Sequence, residues 1–158
     1  MIQAAAKLET VVLLRGALLL LAGGGCVVTA IELAAARHWN GALQLVPWAA
    51  VGLVTLALVL VTVRPSPGKL RVARGLGAVV VAAALYGVVM HVVANYEAGP
   101  LDGVYGDRWD AASGLTRVWW AATETVGPSP FLAPAVLAQL SLLVLLATVR
   151  HPLLARRA

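Results

Sequence analysis

The sequence is short of the residues from which catalytic and metal sites are usually built. It holds one cysteine, Cys26, and three histidines. A lone cysteine excludes an internal disulfide and any CxxC redox or zinc motif, and it leaves the redox compartment unread. Charged residues make up 12% of the chain, against about 25% in an ordinary soluble domain. There is no phosphate-binding glycine loop, nucleophile elbow or HExxH, and no paired carboxylates at helical spacing inside an apolar run. These absences weigh against an enzyme. A catalyst here would have to work with Glu32, His91, Asn95 and Glu97, with His91 as the acid–base group.

What is present is apolar: 61% hydrophobic residues and a mean hydropathy of +0.88. Soluble domains run nearer 45–50% apolar, so the composition points to an integral membrane protein. About 20 mostly apolar residues are needed to cross a bilayer as a helix. Four runs meet that length, at about 11–36, 43–63, 76–96 and 131–149. The expected fold is all-α, a single membrane domain over 1–158 built as a four-transmembrane-helix bundle. The first run is too long for a signal-peptide core, and Gly23-Gly24-Gly25-Cys26 is a poor cleavage site; it is expected to stay as a mature helix.

Charge gives the direction. Lys7, Arg15, Arg64, Lys69, Arg71, Arg74, Arg150, Arg156 and Arg157 fall on one side with only Glu9 opposing, a net +8. Arg37, Arg108 and Arg117 fall on the other with Glu32, Glu97, Asp102, Asp107, Asp110 and Glu124, a net −3. By the positive-inside rule the first side is cytoplasmic, and four spans then put both termini there, in a plasma (inner) membrane. The basic side suits anionic lipid head groups, not nucleic acid. The Ala/Val/Leu/Gly/Arg bias fits a GC-rich bacterial genome. All five tryptophans lie on the outer side, as an aromatic belt would.

The connections differ. RPSPGKLR (64–71) is a Pro-punctuated basic turn, and RHWNGA (37–42) is a short turn with an Asn-Gly pair that makes the first two helices antiparallel neighbours. The outer segment 97–130 is long for so small a protein, and long loops tend to be functional. Its first part is Gly- and Pro-rich loop. From Asp107 the sequence predicts an interfacial helix, capped by Asp107 and ended by Gly127-Pro128. Trp109, Trp119 and Trp120 on that helix are candidate lipid or partner contacts.

Ionisable groups inside spans are costly and mark candidate sites. Glu32 lies six residues before His38, and His91 six before Glu97, which puts both about 9 Å below the outer surface at 1.5 Å per residue. Asn95 shares a face with His91, and Gln44 begins the second helix at the outer side. The sequence therefore predicts a Glu32–His91 pair, completed by Asn95 and Gln44, either as a clasp between helices or as a ligand or proton site that includes Glu97. Glu32 and His91 with His38 could also ligate Zn²⁺ or Cu²⁺, although no close-spaced ligand motif occurs. A bis-histidine haem would need His38 level with His91, and the two are offset by about 9 Å. No cofactor is required by the sequence.

Two function classes follow. The first is a non-catalytic accessory, assembly or structural component that contacts lipid, a membrane-protein partner or a second copy of itself. The second is a small transporter or a ligand- or metal-binding protein with an outer-leaflet site around Glu32 and His91. With Glu32 in its first span, the chain resembles the small multidrug transporters, which are shorter and lack a long outer segment before the fourth helix.

Overall fold

A computed structural model describes residues 2–130 and 132–155, with side chains from Leu8 to Leu154. Seven α-helices occur among them: α1 Ile2–Ala35, α2 Val46–Thr62, α3 Pro67–Ala98, α4 Gly106–Trp109, α5 Gly114–Ala122, α6 Leu132–Ala147 and α7 Pro152–Ala155. The 3₁₀ turns Ala42–Leu45 and Gly99–Leu101 lie between them, and no strand occurs among the described residues. Three stretches are long and apolar enough to cross a membrane: Leu8–Ala35, Ala42–Thr62 and Pro67–Leu101. Where a fourth span was expected lies a shorter apolar helix, Leu132–Ala147, of 16 residues, about 24 Å long at 1.5 Å per residue. Phe131, Arg156 and Arg157 lie outside the described residues, as does the side chain of Lys7.

α1 and α3 overrun the apolar windows from which they were predicted, whereas α2 and α6 fall inside theirs. α3 starts nine residues earlier than hydropathy suggests, because Ser66-Pro67 is a start signal: Ser66 Oγ accepts from the Lys69 N–H at 3.3 Å and Pro67 opens the helix. Its basic first turns carry exposed Arg71 and Arg74. Lys69 Nζ turns back onto the carbonyls of Val63 and Arg64, closing the C-terminus of α2. α2 itself begins later than expected, at Val46. Ala42–Leu45 is a 3₁₀ turn and Pro47 sits in the first turn of the helix, where its missing N–H costs nothing.

The chain divides into two units, residues 1–82 with 137–158, and residues 83–136. In the first, each helix buries a narrow stripe of small side chains. On α1 the stripe is Ala22, Cys26 and Thr29; on α2, Val54, Ala57 and Val61; on α6, Leu140, Val144 and Ala147. The spacing of three and four residues is that of helix packing through small side chains, the usual means of close contact in membranes. Gly25 and Gly77 make it tighter: a Cβ on Gly25 would run into Leu140, and one on Gly77 would meet Leu145 at 3.0 Å. Arg15 closes the other end of α6, donating to the carbonyls of Val149 (3.1 Å) and Arg150 (2.9 Å). Away from that stripe α1 is bare: 11% of its most apolar window is buried.

The second unit is organised around aromatic rings. Trp109, Ala121 and Val126 form its buried centre, with Val92, Tyr96, Tyr105 and Trp120 packed against them. Tyr96 meets Trp109 edge-on with centroids 5.1 Å apart, and Tyr105 lies 5.0 Å from Trp120. The guanidinium of Arg117 sits 5.7 Å from the Trp109 ring centre, a cation–π distance. Gly99 is needed beneath that ring, because a Cβ there would overlap it.

The single outer helix predicted from Asp107 is corrected by the structure. It is broken into α4 and α5, and the start of α5 is set by Ser113, whose Oγ accepts from the Thr116 N–H at 3.1 Å. Asp107 lies in the first turn of α4 and caps nothing. The break is closed by Arg117, which donates from Nε to the Ala112 carbonyl and from Nη2 to that of Asp110.

Candidate functional site

Glu32 stands on α1 three residues before its end at Ala35. Its side chain is exposed and makes no hydrogen bond or ion pair among the described residues. α1 stops there because Arg37 turns left-handed (φ 50°) and the His38 N–H reaches back to the Leu33 carbonyl, the arrangement that ends many helices. His38 is tied into this turn: its carbonyl accepts from Trp48 Nε1 at 2.8 Å, and Trp48 packs on Trp39 with centroids 6.4 Å apart.

Gln44 belongs to the same turn. Its Oε1 accepts from the Asn40 N–H at 2.7 Å, which bridges the connection between α1 and α2. The sequence expected Gln44 to fill a valence of a Glu32–His91 pair; its side-chain oxygen here satisfies an orphan N–H of its own short loop.

His91, on α3 in the second unit, is half-buried, and its Nδ1 is shielded from solvent with no hydrogen-bond partner among the described residues. Asn95, one turn further on, is fully buried and spends its amide elsewhere. Nδ2 donates to the carbonyls of Ala121 (3.1 Å) and Ser129 (2.9 Å), and Oδ1 accepts from the Ser129 N–H at 2.8 Å. Asn95, expected from the sequence to complete a centre with His91, is thus committed to three backbone groups of segment 97–130 that would be left unpaired without it. Glu97 is exposed and unpaired among the described residues.

Asp102 grips the same segment. Its Oδ1 accepts from the N–H groups of Val104 and Tyr105, both at 2.9 Å. Backbone donation from Tyr105, then Val104, with a smaller contribution from Gly127, holds its carboxyl below the usual carboxylate range. Gly127 adopts φ +79°, and a Cβ there would fall 2.5 Å from Asn95 Oδ1. The Gly127–Ser129 turn is thus held by the Asn95 side chain, a use that local pattern did not single out.

The three tryptophans named as partner contacts separate. Trp109 is 4% exposed and belongs to the core, which corrects its assignment as a surface contact. Trp120 is half-buried against Tyr105. Trp119 alone points outward, 66% exposed, beside exposed Leu115 and Val118. Helical periodicity could not separate them, because the break at 110–113 rotates Trp109 out of phase with α5.

No group of three His, Cys, Asp or Glu side chains that could hold a metal ion occurs among the described residues, so the metal set read from the sequence finds no support here. Two shallow grooves, of about 530 and 320 Å³, are lined by Leu8, Glu9, Val12 and Leu13 and by Leu115, Thr116 and Trp119. Neither contains Glu32 or His91. Arg15 was read from sequence only as a topology charge; its signal was a lone cation inside VVLLRGALLLL, where a partner is required. Comparison with known protein families, with characterised proteins and with solved structures finds no match.

Proposed function

We propose that the protein is a non-catalytic component of a plasma membrane, an accessory, assembly or structural subunit with four spans and both termini cytoplasmic. One observation carries this reading. The polar side chains near the outer helix ends are spent on backbone: Asn95 on Ala121 and Ser129, Gln44 on Asn40, Asp102 on Val104 and Tyr105. Groups committed in this way hold a shape and are not free for chemistry. Meanwhile α1 leaves most of its length open to other helices or to lipid. The Leu115, Val118 and Trp119 face of α5 suits the outer head-group layer, where an indole with an apolar neighbour is at home.

A second reading, a small transporter or ligand-binding protein, is favoured by one observation: the shielded, unpartnered Nδ1 of His91. The readings divide on one experiment. The tagged protein is purified from native membranes in mild detergent, and His91→Gln is compared with wild type. Assembly predicts a stoichiometric companion or a defined self-oligomer, kept by the variant. A monomer without companions whose solute or proton flux in vesicles is lost in the variant would replace the first reading by the second.

A further inference from the structure

We infer that the basic end of the first unit is a docking site for the head group of an acidic phospholipid, held by Arg15, Arg74 and Arg150. The site needs only that these helices cross a bilayer, whichever of the two readings above holds. Packing sets the level of each cation. Gly25 of α1 lies against Leu140 of α6, and further back along α1 Arg15 donates to the carbonyls of Val149 and Arg150, so the two helices are antiparallel. α3 runs with α1, since each joins α2 through a short reversal. Gly77 of α3 lies against Leu145 of α6. Arg74, three residues before Gly77, then falls within about 3 Å of the level of Arg150 at 1.5 Å per residue. α1, α3 and the turn after α6 thus bring one arginine each to one level.

The fold does not use up these charges. Arg74 and Arg150 are exposed, and neither side chain is paired among the described residues. Arg15 spends Nη2 on the two carbonyls and keeps its other donors. Arg150 has φ 48° and Arg64 φ 44°, the left-handed position after a helix where glycine sits without strain. A topology charge can stand at any unstrained residue of a connection, so the positive-inside rule does not ask for arginine there. The one acidic side chain on this side, Glu9, lies about 9 Å along α1 from Arg15, and it pairs with none of the three among the described residues.

The surface beside the cations selects the occupant. Toward the middle of the spans it is aliphatic: Leu146 is 55% exposed, Ala78 is exposed, and Leu18 and Leu19 are half-buried. An acidic protein or a free phosphate meets the charge and leaves those side chains bare. A phospholipid meets both, because its phosphodiester accepts from the guanidinium forks while its acyl chains run along the apolar residues.

The test is the selectivity of the full chain for phosphatidylglycerol over phosphatidylcholine, read from spin-labelled lipid immobilised at the protein in phosphatidylcholine bilayers. Wild type is expected to prefer phosphatidylglycerol. Arg150→Gly removes a cation and relaxes its turn, so the preference falls roughly fivefold, the equivalent of about 1 kcal/mol for one cation beside acidic lipid, while Tm holds or rises. Arg74→Gln lowers the preference by a similar factor at unchanged Tm. Arg37→Gly makes the same backbone change at the other end of α1 and leaves the preference as it was. No preference in wild type, a preference kept by Arg74→Gln combined with Arg150→Gly, or an equal loss in Arg37→Gly would overturn the inference. Inorganic phosphate that displaces the lipid at millimolar concentration would overturn the choice of a lipid as occupant.

Discussion

Asn95 and Ser129 are paired through both hydrogen-bonding edges: the side-chain carbonyl of one accepts the backbone N–H of the other at 2.8 Å, and the side-chain amide donates back to its carbonyl at 2.9 Å. A third bond, to Ala121, uses the remaining N–H. One helical side chain thus stands in for a strand partner and ties a loop 34 residues away to α3. The outer segment owes its order to that amide as much as to its aromatic centre.

Asn95→Ala should therefore cost the second unit about 2–4 kcal/mol, the penalty of leaving buried backbone groups unpaired. Limited proteolysis should then cut within 99–130 well before wild type does. Asn95→Asp should not rescue it, because a carboxylate would face two carbonyl oxygens. Equal cleavage rates in all three proteins would refute the role.

Gly127→Ala should destabilise by about 1–3 kcal/mol, since φ +79° is strained for a side chain and Asn95 already fills the space. Gly103→Ala is the control: nothing lies within 4 Å of its added methyl and no positive φ is required. Thermal unfolding of the pair in one detergent separates them.

The tryptophans should divide by burial. Trp109→Ala removes the ring on which Tyr96, Trp120 and Arg117 all rest, and should cost about 3–5 kcal/mol. Trp119→Ala, at an exposed position, should shift the melting temperature little and should instead weaken bilayer contact, read as a loss of quenching by brominated lipid.

Acid should loosen the C-terminal turn. Burial, and then the Arg15 cation, push the His151 imidazole below its ordinary value of 6.5. Its Nδ1 accepts from the Leu153 N–H at 3.3 Å, a contact only the neutral ring makes. Between the folded value and 6.5 the unfolded chain binds more protons, so stability rises with pH across that window. The contribution is complete above 6.5 and falls away as pH drops through the folded value. A histidine NMR titration should place His151 below its ordinary value of 6.5, and Arg15→Gln should raise it.

Much of the architecture was legible because lipid imposes one rule on every span: about 20 apolar residues with their backbone groups paired internally. The apolar runs were found on that ground alone. Their ends were not, since hydropathy marks the part that suits lipid and not the part that is helical; Ser66-Pro67 starts α3 well outside its apolar run. The candidate site was legible only as an inventory. Glu32, His91, Asn95 and Gln44 were found as polar groups at similar depth, but depth does not say what a side chain meets. Gln44 was taken by its own turn and Asn95 by a turn distant in sequence.

By itself the sequence determined an all-helical chain with long apolar runs, basic and acidic residues gathered in different connections, and a few polar groups that apolar surroundings would not tolerate unpaired. Those follow from local composition and period, which need no knowledge of neighbours. Only tertiary structure decided that Trp109 is core and Trp119 surface, that Gly25 is filled and Gly24 open, and that Asn95 binds Ser129. Each depends on which atoms arrive from remote parts of the chain, and hydrogen bonds and close packing are satisfied by contact, whatever the distance in sequence.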